Sequence, residues 1–348
     1  MTPELVQSSA PRPLANYSEA FKVGNLVFAA GQLASDFETG VPPEASINRA
    51  FPFYGSEIKQ QTRYILDNLR VTFEAAGSSL ANVVKAQVFM TDMNDFNAFD
   101  EVWKEYFGDN LPARTTVGNT ELLGAGPAQL QTRYILENFK KTFAAADSSL
   151  ANVVKAQVFL RNLHDFNAFD EVWKEFFAGS PPPRTTVGVT ELLGSGPEQL
   201  LEIDLIAHTN DTSKQVVQSD APRPLAVYSE AVVVDGLVFA AGQLASDFKT
   251  GVPEGARANP AFPYYGSNIK AQTRFILANC RTTFEAAGSS LDSVFKAQVF
   301  MTDMRNFNGF DEVWKEHFKT PPARTTVGTT GLLVKHTLVE IDLIGSVD

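Results

Sequence analysis

The hydrophobic pattern near the N-terminus predicts a hairpin, a helix and a strand, in that order. Residues 20–34 alternate between apolar and polar around the turn pair Gly24 and Asn25 and then become apolar, which is typical of a hairpin with a buried second strand. Residues 56–77 follow a helical period and end in glycine, a common C-terminal stop. Residues 83–90 are rich in β-branched side chains and predict a strand.

A second helix with an aromatic stripe is predicted after this strand. Asp95 stands at its start, where aspartate is a favoured N-cap. The stripe consists of Phe96, Phe99, Val102, Trp103 and Phe107. We interpret it as packing of helix on sheet rather than as a base-stacking or cofactor site. Residues 112–118 then predict another strand, and a Glu-Ile-Asp-Leu-Ile strand closes complete copies. The order ββαβαββ predicts an α+β sandwich with its helices on one side of a mixed sheet.

Near-verbatim repeats show three copies of this module. The sequences at 82–89, 152–159 and 293–300 all end in Lys-Ala-Gln-Val-Phe. Residues 62–130 recur without a gap as residues 132–200, which indicates a tandem duplication.

Only the third copy contains every element. The first copy, residues 1–127, has the hairpin but lacks the final strand. The second copy, residues 128–209, has the final strand but lacks the hairpin. The third copy, residues 216–348, has both, and residues 208–219 predict a linker because they show no apolar periodicity.

Composition excludes several classes of function. The 348 residues exceed the usual size of one core, in keeping with several units. The formal net charge of −11, without a run of Lys or Arg, argues against nucleic acid as a partner. No apolar stretch approaches the roughly 20 residues that span a bilayer, so we expect no membrane partner and a cytoplasmic location. Cys280 is the single cysteine and the histidines are scattered, so we expect no intrachain disulfide and no metal site.

The recurring sequence Pro-x-Arg-Thr-Thr-Val-Gly carries the clearest candidate chemistry. It places Arg114, Arg184 and Arg324 at the start of a strand, where each planar guanidinium can hold a carboxylate through two hydrogen bonds. The alternative is that these arginines form structural ion pairs. Glu202 and Glu340 on the final strands can orient water or transfer a proton, or else form salt bridges at a strand edge.

Three lysines in the middle of the repeated strand allow two interpretations. Lys85, Lys155 and Lys296 are candidate Schiff-base nucleophiles by residue type. We favour snorkelling or a structural ion pair for them.

Four short motifs occur in the same order in the first and third copies. They are Ala-Pro-Arg-Pro-Leu-Ala-x-Tyr-Ser-Glu-Ala, Phe-Ala-Ala-Gly-Gln, Glu-Ala-Ala-Gly-Ser-Ser and Pro-Ala-Arg-Thr-Thr-Val. In this order and spacing they resemble the reactive intermediate deaminase family, Rid/YjgF, over residues 8–125 and 216–345. The family's usual serine before Gly-Gln is replaced by Ala30 and Ala241, which removes a hydroxyl from the site.

The resemblance implies a chorismate-mutase-like (YjgF-like) ββαβαββ unit, three of which pack around a central barrel with outer helices and ligand sites between units. We therefore expect a pseudo-trimer within one chain, with further homo-oligomers as an option. The alternative joins residues 1–130 and 128–209 into one enlarged subunit, with residues 216–348 as a second. We favour the pseudo-trimer because an unpaired barrel segment would expose strand edges.

The resemblance also implies hydrolytic deamination of 2-imino or 2-enamino acids, including products such as 2-aminomuconate, without metal or organic cofactor. Residues assigned to the substrate carboxylate, directly or through backbone amides, are Arg114, Arg184, Arg324, Thr116, Thr186 and Thr326. Residues assigned to positioning water are Glu202 and Glu340. Those lining the substrate site are Tyr17 and Tyr228, both from the neighbouring unit, and Gln32 and Gln243. Arg324 with Glu340 and Tyr228 favours an enzyme. A protein that binds small carboxylates or partner surfaces without catalysis is the alternative.

Overall fold

The computed structural model describes residues 2–11, 17–34, 42–46, 56–118, 128–179, 181–192, 200–209, 213–222, 226–261 and 266–347. The helices are α1 (Glu57–Ala75), α2 (Phe96–Phe107), α3 (Ala128–Ala144), α4 (Phe166–Phe177), α5 (Asn268–Ala286) and α6 (Phe307–His317). The strands of the first copy are β1 (Glu4–Val6), β2 (Ala20–Val23), β3 (Leu26–Ala29), β4 (Lys85–Met90) and β5 (Ala113–Gly118). Those of the second copy are β6 (Val153–Leu160), β7 (Arg184–Gly188), β8 (Glu191–Leu192) and β9 (Leu201–Ala207). Those of the third copy are β10 (Gln215–Val217), β11 (Ala231–Val234), β12 (Leu237–Ala240), β13 (Gln243–Leu244), β14 (Val294–Met301), β15 (Ala323–Gly328), β16 (Gly331–Leu332) and β17 (Val339–Ser346).

The third copy forms a seven-stranded mixed sheet that shares a core with two helices. Its strand order is β10-β11-β12-β17-β14-β15, and β13 also pairs with β17. Only β14 and β15 run parallel, because α6 connects them as a crossover. Ile276 and Phe284 of α5 and Trp314 of α6 are fully buried in this core. The predicted α+β class is confirmed.

The sheets of the other two copies are shorter. The second copy contributes β7, β6 and β9 to a four-stranded sheet that β16 of the third copy extends. The first copy contains two separate three-stranded sheets, β1-β2-β3 and β4-β5-β8, of which β8 belongs to the second copy. Strands therefore pair between copies, but no sheet of the described residues closes, and the predicted barrel is not shown.

The three copies meet at a ring of glutamine side chains. Gln87 of β4 donates to Gln157 of β6, Gln157 donates to Gln298 of β14, and Gln298 donates back to Gln87. Each amide uses its nitrogen toward one neighbour and its oxygen toward the other. The equivalent strands of all three copies consequently face one another.

Most local predictions are confirmed, with two corrections. The hairpin over residues 20–34 and the helix over residues 56–77 are β2-β3 and α1. The linker over residues 208–219 is wrong in part, because two β-branched valines at 216 and 217 allow Gln215–Val217 to pair as an edge strand with β11. Asp95 lies at the N-cap of α2 without a side-chain capping bond, whereas Asp92 accepts the Asn94 amide one turn earlier.

Helix length and polarity bear on the membrane question. Within the part of the chain that is described, no helix combines the length and the apolar character that crossing a bilayer requires.

Candidate functional site

Each repeated arginine pairs with an aspartate on the helix that precedes its strand in the same copy. Arg114, Arg184 and Arg324 lie near the start of β5, β7 and β15. The distances from their Nη2 atoms to Asp100, Asp170 and Asp311 are 2.8, 2.9 and 2.8 Å, respectively. The ion-pair interpretation of the arginines is therefore confirmed. It does not exclude carboxylate binding, because a guanidinium has five N–H donors.

The aromatic stripe surrounds each guanidinium. The Arg184 guanidinium carbon lies 5.1 to 5.3 Å from the ring centroids of Phe166, Phe169 and Trp173. The other two arginines have equivalent ring contacts in their own copies. The stripe is core, as predicted, and its ring faces also stabilise a cation. Sequence reasoning missed this second role and the aspartate between the rings, although their common helical spacing was visible.

A tyrosine from a different copy completes two of the three arginine environments. Tyr228 of the third copy lies over Arg184, with 5.5 Å from guanidinium carbon to ring centroid. Tyr17 of the first copy lies over Arg324 at 5.4 Å. Burial raises the pKa of both phenols above the ordinary value of 10, so both stay neutral hydrogen-bonding groups at physiological pH.

The Arg184 cleft, formed by Arg184, Thr186, Tyr228, Gln243 and Glu340, holds the most complete set of predicted residues. Glu340 and Arg184 interact electrostatically, and Glu340 accepts a hydrogen bond from the Thr186 backbone. Burial, followed by repulsion from Asp342, raises the pKa of Glu340 to about 8. Among the described residues, Nη1 of Arg184, Oε2 of Glu340 and Oε1 of Gln243 are buried without a hydrogen-bond partner. Buried polar atoms of this kind need a partner, which a polar ligand or a water molecule can supply.

A close approach of backbone to carboxylate shapes this cleft. Gly242 lies so near Glu340 and Thr185 that a Cβ atom at position 242 would collide with both side chains. Its amide donates to the Arg184 carbonyl at 3.2 Å, which joins the third copy to β7. Glycine is therefore required here by space and not by its φ angle.

The Arg114 cleft, formed by Arg114, Thr116 and Glu202, is open. A cavity of about 620 Å³ lies beside these residues, with Ile135 and Phe139 of α3 also lining it. The second copy has no hairpin to cover this side of α3. Burial and the neighbouring Asp204 charge raise the pKa of Glu202 to about 7.

The Arg324 cleft, formed by Arg324, Thr326, Tyr17 and Gln32, has the tyrosine but no glutamate strand. Gly31, next to Gln32, packs against the Thr325 side chain, and Ser18 donates its amide to the Pro322 carbonyl at 3.1 Å. The hairpin of the first copy thus covers β15, while the strand that would supply a glutamate is absent from the sequence of that copy.

Comparisons with known proteins identify the family. The family model described as Endoribonuclease L-PSP matches residues 7–127, 118–209 and 218–347. The chain belongs to the Rid/YjgF family. A RutC family protein of Pyrococcus abyssi is 43% identical over 108 residues, which cover 31% of this chain and 76% of that protein.

Two further relatives have informative names. A 2-iminobutanoate/2-iminopropanoate deaminase of Dermatophagoides farinae is 30% identical over 139 residues, which are 39% of this chain and 100% of that protein. RidA from an Antarctic Psychrobacter, a solved structure, is 34% identical and covers 38% of this chain and 98% of its own, with a TM-score of 0.32.

The structure of this Rid/YjgF protein groups the predicted residues differently from the sequence. Tyr228 and Glu340 lie at Arg184 of the second copy, not at Arg324 of their own copy. Both tyrosines reach an arginine of a neighbouring copy, in keeping with the resemblance, but Arg324, Glu340 and Tyr228 do not meet in one cleft. The cause is that a cleft takes its arginine and aromatic helix from one copy, and whichever tyrosine or glutamate it has from the next.

Two of the three repeated lysines, Lys85 and Lys155, form structural ion pairs. Nζ of Lys85 lies 2.9 Å from Asp204, and Nζ of Lys155 lies 2.8 Å from Asp342. Lys296 has no carboxylate partner among the described residues and instead donates to the Ala29 carbonyl at 2.7 Å. Within the described ranges, no cluster of three His, Cys, Asp or Glu side chains is placed to hold a metal ion.

The Glu340 carboxyl predicts a pH dependence of stability. Its pKa is raised from 4.5 to about 8 in the folded chain, so the folded state retains a proton that the unfolded state loses. The contribution is stabilising below about pH 4.5 and disappears as pH rises through about 8. Urea denaturation across this range should show the free energy of unfolding of the wild type falling relative to Glu340→Gln. A difference between the two proteins that does not change with pH would contradict the assignment.

Proposed function

We propose that this chain deaminates small 2-imino carboxylic acids by hydrolysis in the Arg184 cleft. The observation that carries the proposal is the buried pair of unpartnered groups, Nη1 of Arg184 and Oε2 of Glu340, within one cleft. A cation beside a proton donor suits a substrate that has a carboxylate next to a C=N bond. Tyr228 and Gln243 add neutral polar groups that orient such a substrate.

The chemistry needs one proton donor and one water. Arg184 holds the substrate carboxylate, and the protonated Glu340 donates its proton to the imine nitrogen. Water then adds to the imine carbon while the Glu340 carboxylate accepts a proton from it. Glu340 then gives this proton to the amino group, the C–N bond breaks to release ammonia, and the hydroxyl proton returns to Glu340. The products are ammonia and a 2-oxo acid, so the atoms balance without metal or organic cofactor. An enamine substrate first tautomerises to the imine.

Burial of the proposed catalytic pair supports a polar substrate that is shielded from bulk water. Arg184 and Glu340 are both buried. The relative from Dermatophagoides farinae, named for deamination of 2-iminobutanoate and 2-iminopropanoate, aligns with this chain along its whole length. The open cavity of about 620 Å³ at Arg114 is suited to an acid of the size of 2-aminomuconate.

We also propose that the three copies surround one pseudo-threefold axis with a cleft at each junction. The closed ring of Gln87, Gln157 and Gln298 supports this arrangement. Only the Arg184 cleft then has arginine, tyrosine and glutamate together. One chain would therefore have one active site.

The second candidate function is binding without turnover in the incomplete clefts. Arg324 with Tyr17 can hold a carboxylate, but no described glutamate accompanies them. The family description names a ribonuclease, yet a formal net charge of −11 does not favour a polyanionic substrate.

Arginine-to-lysine substitutions test the proposed site. Arg184→Lys keeps the charge beside Asp170 but loses the planar fork, so we expect kcat/KM for freshly generated 2-iminopropanoate to fall about 10- to 100-fold. Arg114→Lys and Arg324→Lys are the matched controls and should retain most activity. Ammonia release is the measurement, corrected for spontaneous hydrolysis. Wild-type release no faster than the spontaneous rate, or equal losses in all three variants, would refute the proposal.

A further inference from the structure

Among the described residues of the first copy, no strand lies between β3 and β4. In the third copy, β17 occupies the equivalent position and pairs antiparallel with both β12 and β14. No described residue pairs with the facing edges of β3 and β4. We call this position the strand gap. Its two edges present unpaired backbone donors and acceptors, which other chains can extend.

Apolar side chains around the strand gap are exposed where their counterparts are buried. Leu26 of β3 is 46% exposed, whereas Leu237 at the same position of the third copy is 7% exposed. Phe73 of α1 is partly exposed, whereas Phe284 of α5 is fully buried. The strand gap is therefore open to a segment with apolar side chains on one face.

Where a final strand is present, three polar donors of the preceding copy bind the aspartate of that strand. Around Asp342, which comes from β17, Lys155 Nζ lies at 2.8 Å, Thr185 Oγ1 at 2.7 Å and Gln157 Nε2 at 3.2 Å. All three donors come from the second copy. They form a carboxylate pocket for the final strand of the next copy.

The same pocket recurs around the other final strand. Asp204 of β9 receives Lys85 Nζ at 2.9 Å, Thr115 Oγ1 at 3.3 Å and Gln87 Nε2 at 3.1 Å. A lysine, a threonine and a glutamine at equivalent positions thus bind an aspartate twice.

The third version of this pocket has the donors but no aspartate. Lys296, Gln298 and Thr325 occupy the equivalent positions, with 3.4 Å between Lys296 Nζ and Thr325 Oγ1. No described carboxylate pairs with Lys296, because the strand that would bring one is the strand missing from the first copy. Burial lowers the pKa of Lys296 to about 8, although the Asp342 charge opposes this shift.

We propose that the strand gap binds an extended acidic segment of a partner polypeptide, added antiparallel to β4, whose aspartate enters the pocket of Lys296, Gln298 and Thr325. Alternate residues of a strand face opposite sides, so the segment needs the pattern apolar-Glu-apolar-Asp-apolar. In β9, Leu201 and Ile203 face the helices and join their core.

The register follows from the second copy. Asp204 lies opposite Gln157 in the pairing of β9 with β6. The aspartate of the incoming segment would therefore lie opposite Gln87 of β4. The glutamine of α1 that would hold the start of the strand is Gln61, since Gln272 of α5 receives the Leu338 amide at 2.8 Å in the third copy.

A peptide from this chain provides the probe. A fluorescent peptide with the sequence of residues 200–208, Leu-Leu-Glu-Ile-Asp-Leu-Ile-Ala-His, is titrated into the full chain and followed by anisotropy. We expect saturable binding of one peptide per chain. Asp204→Asn in the peptide should weaken binding at least about tenfold, because the charge-assisted bonds to the pocket are lost. A scrambled peptide of equal composition should not bind.

Variants of the protein locate the binding site. Lys296→Met should weaken binding of the wild-type peptide, whereas Lys249→Met, at an exposed lysine, should not. Hydrogen exchange should slow at residues 26–29 and 85–90 when the peptide is bound. These readouts do not depend on deaminase activity.

Several outcomes would overturn the proposal. They are the absence of binding, equal binding of the Asp204→Asn or scrambled peptide, and protection confined to other strands. A chain that is dimeric through the strand gap and excludes the peptide would also overturn it.

Discussion

Replacing Glu340 with glutamine is expected to lower the rate of ammonia release from 2-iminopropanoate by about 10²- to 10⁴-fold, the range of positioned acid-base groups. Glutamine has the shape of glutamate and fits beside Gly242, so the cleft should keep its form. It cannot donate and then recover a proton as the proposed mechanism requires. Single-turnover and steady-state measurements of ammonia give the kcat of wild type and variant.

The chain contains a matched control for this substitution. Glu202 occupies the equivalent position of the second copy, but it faces the Arg114 cleft, which has no tyrosine hairpin. Glu202→Gln should therefore leave most of the activity. A large loss in Glu202→Gln, together with normal activity in Glu340→Gln, would move the active site to the Arg114 cleft.

The pKa of the Glu340 carboxyl should determine how kcat depends on pH. Because the Glu340 pKa is about 8, its protonated form dominates at neutral pH and declines above that value. In the proposed mechanism the protonated form begins the reaction, so kcat should fall as pH rises through about 8.

Local elements could be predicted because their signals lie within short segments. The turn Gly24-Asn25 between apolar runs specifies the β2-β3 hairpin, and the apolar period of residues 56–77 specifies α1. The short edge strands β1 and β10 escaped prediction, since three residues carry too little pattern. Asp92 rather than Asp95 makes the side-chain cap because backbone geometry, and not residue type alone, decides the bond.

The composition of each cleft could not be predicted because it is a property of contacts between copies. The repeats are nearly identical, so no spacing in the sequence states whether Tyr228 reaches Arg324 or Arg184. In the structure the hairpin and final strand of the third copy pack on β7, and both Tyr228 and Glu340 follow them there. The sequence did show that arginine, tyrosine and glutamate cannot all be present in every cleft, because the first copy lacks the glutamate strand and the second lacks the tyrosine segment. It required the structure to show which cleft is complete.

The missing segments also explain the unequal burial of the copies. Residues of β6 are all buried, because β9 covers one of its edges and β7 the other. The equivalent β4 has only one covered edge, and Val84 just before it is 74% exposed. Loss of one strand therefore lowers the local stability of the first copy at β4. The arginine strand β5 remains paired with β4.

Removing the Asp342 carboxylate should have the largest effect on stability. The side chains of Lys155 and Asp342 are 4% and 3% exposed, and Asp342→Ala leaves the lysine charge buried without a counterion. Breaking a buried pair in this way costs about 3–5 kcal/mol of unfolding free energy. Asp204→Ala is the matched control, and its loss should be smaller because Lys85 is 35% exposed and water can solvate it. Chemical denaturation measures both losses.

A double variant separates the charge effect from the loss of packing. Adding Lys155→Met to Asp342→Ala removes the unpaired ammonium group, so we expect it to recover part of the lost free energy. The same addition of Lys85→Met to Asp204→Ala should recover little, because the Lys85 ammonium group is already hydrated. Equal losses in Asp342→Ala and Asp204→Ala, or no recovery in the first double variant, would show that hydrogen bonds to the carboxylates, rather than the desolvated charge, hold the copies together.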